Sequence, residues 1–182
     1  MREPPRLERL LPRPGTYALI LACPAEVQVR VGALGQLRLT PGWYAYLGSA
    51  FGPGGVRGRC LRHLEGGRAH WHIDQLRRHC DLNEIWVTYD PEHREHQWAA
   101  AIADARGARL PFPGFGASDC GCESHLVFAC HGFSFAGFKR RLHRDHPGHG
   151  RIHRVGIDYD PVTAWAPRKP SGQPAVTAEP GE

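Results

Sequence analysis

The sequence lacks several features that define whole protein classes. It has no apolar run near the roughly 20 residues needed to cross a bilayer, so no membrane association is expected. Its charged, proline-rich start leads into only a short apolar patch, so no secretory signal is predicted and a cytoplasmic location is expected. Without an export signal, the six cysteines are interpreted as reduced thiols, which excludes a disulfide-stapled secreted domain. No internal repeat is visible either.

Lysine is also scarce. Lys139 and Lys169 are the only lysines, although Lys and Arg together number 23 against 18 acidic residues, for a net charge of +5. Guanidinium groups bind phosphates through two parallel hydrogen bonds, so an arginine-based positive charge suits a nucleic-acid partner. A GC-rich coding sequence would produce the same bias, and composition alone leaves both explanations open.

The chain organisation predicts one domain between two loose ends. Residues 1–13 and 159–182 lack a periodic apolar pattern and are predicted to be flexible, leaving a domain at 14–158. Strands and helices alternate within it, but a hairpin comes early, so a mixed α+β fold is expected and a doubly wound parallel sheet is not. Strands are predicted at 15–22, 27–31, 36–40, 42–48, 84–89 and 125–130, and helices at about 56–65, 70–79, 91–107 and 135–143.

Two tyrosines are the first candidates for chemistry. Tyr17 lies in Gly-Thr-Tyr at the start of one strand, and Tyr46 lies in Tyr-Leu-Gly-Ser at the end of another. If these strands pair antiparallel, the two phenols share one face of the sheet. Strand tyrosines are most often core residues, so this pattern is weak by itself.

A basic helix and an acidic helix add three more candidates. Arg59 and His63 are four residues apart, which places them on one helix face, although a solvated basic helix has the same pattern. Glu95 lies in the first turn of an alanine-rich helix, where it could bind a cation or only stabilise the helix dipole. Helix placement, and no motif, favours Glu95 over Glu92.

Together these segments resemble a known family. The order Gly-Thr-Tyr, Tyr-Leu-Gly-Ser, a helix with Arg-x-x-x-His and a later helical Glu is similar to the GIY-YIG nuclease superfamily. Three longer phrases resemble its small bacterial and archaeal Uri-type branch: GWYAYLGSAFGPGGVRGRCLRHL, HWHID and FGASDCGCESHL. The resemblance covers about residues 14–130. Thr16 and Leu47 depart from it, standing where isoleucine is usual.

The resemblance implies both a fold and an activity. The fold would be a central three-stranded antiparallel sheet flanked by helices, with the hairpin inserted between the first two strands. The activity would be metal-dependent endonucleolytic hydrolysis of nucleic acid, with DNA favoured and Mg²⁺ or Mn²⁺ held at Glu95. Tyr17 is the candidate general base, with His63 as rival or proton relay. The catalytic residues that the resemblance implies are Tyr17, Tyr46, Arg59 and Glu95. His63 is a further catalytic candidate because imidazoles can transfer protons near neutral pH. The candidate nucleic-acid contacts are Ser49, Arg57, Arg62, His72 and Arg77.

Two other functions are considered. One is a nucleic-acid-binding module that has the same fold without catalysis. The other is a zinc-dependent hydrolase, with ligands from His70, His72 and Asp74 or from Cys120, Cys122 and His125, although neither set has a common zinc spacing.

Two further segments are rich in possible metal ligands. The histidine-rich tract at 143–153 is predicted to be a solvated basic loop. Residues 118–125 are interpreted as a structural loop, with Asp119 and His125 supporting the nuclease site. A zinc site completed by His72 and a redox pair remain the alternatives for this loop.

Overall fold

A computed structural model describes residues 7–65, 72–117 and 120–157. Within these ranges, no helix combines the length and apolar character needed to span a membrane. These described parts form two short 3-10 turns, at Leu7–Arg9 and Gly32–Leu34, together with seven strands and four α-helices. The elements are β1 (Thr16–Cys23), β2 (Val27–Val31), β3 (Gly35–Leu39), β4 (Gly42–Ser49), α1 (Gly55–Glu65), α2 (His72–Arg77), β5 (Asp81–Thr88), α3 (Glu95–Ala103), β6 (Leu126–Ala129), α4 (Phe135–Asp145) and β7 (Ile152–Gly156).

The main sheet has five antiparallel strands in the order β6-β4-β1-β5-β7, and β2 and β3 pair separately as a hairpin. The predicted mixed α+β class and the hairpin inserted between the first two core strands are confirmed. The three-stranded sheet is wrong in extent, because β6 and β7 extend the central β4-β1-β5 on either side. β7 buries only Ile152 and Val155, so its sequence lacks the strict alternation that marks a strand.

Helices cover both faces of this sheet. Alternate side chains of a strand point to opposite faces, so Leu19 and Leu21 of β1 join one core while Ala18 and Ile20 join the other. α1, α2 and the hairpin contribute to the first core and α3 and α4 to the second. β1 is therefore buried on both sides, which explains why it is an unbroken apolar run.

Several parts of the chain differ from the sequence prediction: among them, β5 begins at Asp81 and not at 84, and α3 ends at Ala103 and not at 107. Leu7 and Leu10 are buried in the core, so the chain packs from residue 7 and not from 14; the predicted tail at 159–182 lies outside the described residues. α3 begins at Glu95, four residues after Pro91, because the intervening residues form an anchored loop. The tract at 143–153 is not a solvated loop: it includes the end of α4, the start of β7 and the buried His149, which accepts a hydrogen bond from Trp98 Nε1 at 2.8 Å.

Candidate active site

The two predicted tyrosines lie on one face of the sheet. In the β1–β4 register Tyr17 faces Gly48 and Leu19 faces Tyr46, so the two phenols are diagonal neighbours on the same side. Both side chains are buried. Gly48 has a steric role, since a Cβ atom there would lie 2.5 Å from Tyr17 Oη. The glycine of the second motif therefore makes room for the tyrosine of the first.

Tyr17 is the end of a buried hydrogen-bonded chain. Its hydroxyl lies 2.8 Å from His63 Nε2, and His63 Nδ1 lies 2.8 Å from Asp74 Oδ1. A carboxylate only accepts, so His63 Nδ1 carries a proton, and Nε2 of the neutral imidazole accepts from the phenol. Asp74 thereby fixes both the tautomer and the orientation of the ring.

Burial decides the protonation state of Tyr17. Desolvation raises the pKa of Tyr17 well above 10.0, reinforced by Tyr46 and Cys60 and opposed by the positive charge of Arg59. The phenol therefore keeps its proton at neutral pH. Arg59 and Tyr17 line the same cleft.

These groups open onto one cleft of about 420 Å³. Arg59 is half-buried on α1, one turn before His63, and reaches the cleft from the same helix. The lining residues are Tyr17, Tyr46, Leu47, Gly48, Ser49, Arg59, His63, His72, Glu95, His96, Gly116, Cys120 and His125. All five predicted catalytic residues line it, although they come from β1, β4, α1 and α3.

The start of α3 is held in place from two directions. Thr16 Oγ1, fully buried at the beginning of β1, accepts a hydrogen bond from Arg94 N at 3.1 Å. Asp90 pairs with the Arg94 guanidinium at 3.2 Å and accepts from Gly150 N at 2.9 Å. These contacts fix the residue before Glu95, so that the first turn of α3 presents its carboxylate to the cleft.

One carboxylate oxygen of Glu95 lacks a hydrogen-bond partner within the ranges that the structure describes. Its side chain is largely buried, and Oε1 lies 3.4 Å from His93 Nδ1. Oε2 is buried with no hydrogen-bond partner among the described residues, which is costly for a carboxylate unless a cation or water meets it. A single carboxylate with room for water suits Mg²⁺ or Mn²⁺. Glu92, the other candidate, is mostly exposed and pairs with Arg94 outside this cleft.

The five predicted nucleic-acid contacts separate into three groups. Ser49 and His72 line the cleft, and His72 Nδ1 accepts from Gly116 N at 3.3 Å. Arg57 and Arg62 are exposed on α1, away from the cleft wall. Arg77 turns inward, where its Nε donates to the His63 carbonyl oxygen at 3.3 Å and desolvation lowers its pKa. Arg77 therefore supports α1 at His63 and does not face the cleft.

Asp74 and Thr16 position other residues of the site, and the sequence analysis does not predict this role for either of them. Asp74 is a candidate there only as a zinc ligand, although the HWHID phrase that contains it carries part of the family resemblance. Thr16 stands out only as a departure from isoleucine. No local pattern links Asp74 to His63, because the two residues meet through packing of α2 against α1.

A second group of polar side chains lies at the cleft rim. One ligand atom each from His96, Cys120, Cys122 and His125 lies within 4.8 Å of the other three. His72, the predicted fourth member, is not in this cluster, and Asp119 and His70 lie outside the described residues.

Comparison with protein families gives one match. A family model described as a domain of unknown function, DUF123, matches residues 16–146 of the 182-residue chain, well over half of it. The chain belongs to the DUF123 family. The matched region of this DUF123 chain runs from the start of β1 to just past the end of α4, so it contains every side chain of the cleft. No curated protein and no solved structure matches the chain.

Proposed function

We propose that this chain is a metal-dependent endonuclease of the GIY-YIG type, in its Uri-type branch, that hydrolyses phosphodiester bonds in nucleic acid, with DNA favoured as substrate and the cytoplasm as location. The observation that carries the proposal is one cleft that gathers Tyr17, Tyr46, Arg59, His63 and Glu95 from four separate elements. The description of the DUF123 family gives no activity. The support is therefore the chemistry of the cleft together with the motif resemblance.

The Tyr17–His63–Asp74 chain supplies proton transfer. Because Tyr17 keeps its proton at neutral pH, it acts as a base only while passing that proton on to His63 Nε2, 2.8 Å away. A water that attacks phosphorus gives its proton to Tyr17 Oη as the phenol proton moves to His63. The Asp74 carboxylate stabilises the resulting imidazolium. The two candidate bases, Tyr17 and His63, thus act as one relay.

Arg59 and Glu95 account for the stabilisation of the negative charge that develops during the reaction. The transition state gathers negative charge on the non-bridging phosphate oxygens, and Arg59 provides fixed donors for it. Glu95 would hold a divalent cation through Oε2, which has no hydrogen-bond partner in the part of the chain that the structure describes. Such a cation supplies Lewis acidity at the leaving oxygen. Tyr46, in edge-on ring contact with His63, positions the phosphate.

A polymeric substrate is favoured by a second cleft of about 810 Å³. It lies along the end of β5, and its wall contains Arg94, the residue next to Glu95. Its lining includes five arginines together with His153, Asp90 and Glu92: Arg9, Arg13, Arg94, Arg151 and Arg154. Arg94 pairs with both of these acids, and Arg154 pairs with Glu84. A groove rich in guanidinium groups suits a phosphate backbone that extends past the cleaved bond.

The alternatives account for less of the site. A binding module has no use for a buried imidazole oriented by a carboxylate and bonded to a phenol. A zinc hydrolase needs an open coordination position for water or substrate. The His/Cys cluster offers four protein ligands, which leaves no such position in a tetrahedral site.

The test is cleavage of a panel of labelled DNA and RNA, including single strands, duplexes and branched forms, with Mg²⁺ or Mn²⁺. Wild type is expected to cut at least one member, and Arg59→Ala to cut it about 10²-fold more slowly. Arg38→Ala is the matched control, since Arg38 pairs with Glu26 on the hairpin and does not line the cleft. Unaltered cleavage by folded Arg59→Ala would refute the site.

A further inference from the structure

The cluster at the cleft rim brings together distant parts of the chain. His96 is the second residue of α3, Cys120 and Cys122 lie in the loop before β6, and His125 immediately precedes β6. His96 Nδ1 lies 2.8 Å from Cys122 Sγ, and Cys120 Sγ lies 3.4 Å from His125 Nε2. Two thiols and two imidazoles thus face one common point.

The arrangement matches the geometry of a particular ion. Tetrahedral Zn²⁺ with bonds of about 2.3 Å to sulfur and about 2.1 Å to nitrogen separates its ligand atoms by about 3.4–3.8 Å. In the cluster each of the four atoms lies within 4.8 Å of the others, so shifts on the order of 1 Å complete the sphere. Thiolate and imidazole ligands select zinc over Mg²⁺, which prefers oxygen.

The backbone around the cluster is already held in place. His125 N donates to Phe115 O at 2.8 Å, and its carbonyl accepts from Leu47 N at 2.9 Å. Gly114 N donates to Glu123 O at 2.7 Å, next to the bond between His125 and Phe115, so two hydrogen bonds close the base of the loop. Two ligands therefore come from the fixed positions His96 and His125, and only the two cysteines lie on the loop itself.

We propose that His96, Cys120, Cys122 and His125 bind one structural Zn²⁺ in a closed four-ligand site. The ion ties the loop before β6 to the first turn of α3. Since His96 follows Glu95 directly, the same bond holds the helix turn that presents the Glu95 carboxylate to the cleft. The proposal of zinc binding does not rest on the proposed nuclease function. The proposed effect of zinc on the position of Glu95 does rest on that function.

The site replaces the structural-loop interpretation of residues 118–125. His96 is the ligand that sequence spacing could not reveal, because it lies 24 residues before Cys120 on another element. A Cys120–Cys122 disulfide is the competing fate of these thiols, and two cysteines separated by one residue are poorly placed for it.

The experiment measures zinc per chain by elemental analysis of untagged protein purified without chelator. About one zinc per chain is expected, falling to near zero in Cys120→Ser/Cys122→Ser. Cys130→Ser is the matched control because this exposed cysteine lies outside the cluster, and it should retain the metal. If the double variant does not fold, Co²⁺ exchanged into wild type gives a second measurement: a tetrahedral cobalt spectrum with thiolate-to-metal charge transfer is expected.

Three results would overturn the site. The first is wild-type protein that contains no zinc and takes up no Co²⁺. The second is zinc that stays bound in the folded double variant, and the third is a Cys120–Cys122 disulfide in freshly purified protein. None of these experiments measures cleavage, so the absence of zinc would leave the nuclease proposal intact. Conversely, a protein that contains zinc but cleaves no nucleic acid would support the zinc site and contradict the nuclease proposal.

Discussion

Replacing Asp74 by Asn tests the proton relay without changing the size of the side chain. Asp74 Oδ1 lies 2.8 Å from His63 Nδ1, and the His63 and Asp74 side chains are 1% and 13% exposed. Asn keeps the shape but removes the charge, and its amide can donate to Nδ1 and so favour the wrong tautomer. The imidazolium that forms when His63 takes the Tyr17 proton then loses its counter-charge.

The structure sets the size of the loss. Unit charges about 4 Å apart interact by about 4 kcal/mol at an effective dielectric constant of about 20. Each factor of ten in rate corresponds to about 1.4 kcal/mol, so removing the charge should slow chemistry by about 10²–10³-fold. The loss should fall on the single-turnover cleavage rate and leave the dissociation constant for nucleic acid within a few-fold of wild type.

The assay is single-turnover cleavage of the best labelled substrate at neutral pH, with binding measured in Ca²⁺ in parallel. Asp104→Asn is the matched control, because Asp104 is an exposed acid at the end of α3 and does not line the cleft. A folded Asp74→Asn protein that cleaves within about threefold of wild type would refute the relay.

Three other outcomes follow from the structure. Gly48→Ala puts a Cβ 2.5 Å from Tyr17 Oη, so the single-turnover cleavage rate should fall by up to about 10²-fold. The control Gly58→Ala, whose added Cβ makes only ordinary contacts, should cleave at the wild-type rate. Equal rates in Gly48→Ala and Gly58→Ala would contradict the steric role of Gly48. Burial lowers the pKa of His149 below 6.5, so as the pH falls this histidine takes up a proton in the unfolded state before it does so in the folded state. The free energy of unfolding, measured in urea, should therefore decrease as the pH drops below about 6.5. This would be contradicted if the free energy of unfolding of His149→Gln fell with pH as steeply as that of wild type. Nucleic-acid affinity is predicted to weaken with salt. If the exposed Arg57 and Arg62 of α1 bind phosphates, Arg57→Ala and Arg62→Ala should each reduce the slope of log affinity against log salt concentration by about 0.9 on duplex DNA. An unchanged slope would exclude both arginines from the binding surface.

Much of the fold was predictable because its core elements carry strong local patterns. β1 is an unbroken apolar run, β2 alternates, and α1 begins after a glycine-rich turn, so each was predicted within a residue or two of its observed bounds. The shared face of Tyr17 and Tyr46 follows once β1 and β4 pair antiparallel. Local propensity and pairing geometry are enough for these features.

The features that were not predicted from the sequence depend on long-range packing. β7 is an edge strand with only two buried side chains, and its His- and Arg-rich sequence resembles a solvated loop. Asp74 reaches His63 only when α2 packs on α1, and His96 reaches the cysteines only when the loop before β6 folds over α3. Residue spacing within a single helix or strand does not predict these contacts.

The most direct test of the nuclease proposal is single-turnover cleavage as a function of Mg²⁺ or Mn²⁺ concentration in wild type and Glu95→Gln. Gln keeps the size of the side chain but removes the charge at the buried Oε2, for which residues 7–65, 72–117 and 120–157 supply no hydrogen-bond partner. Glu26→Gln serves as control, since that half-exposed acid pairs with Arg38 on the hairpin and does not line the cleft. Metal-dependent cutting by wild type and the control, with a loss of about 10²-fold or more in Glu95→Gln, is predicted. Equal metal-dependent cutting by all three proteins would contradict the account.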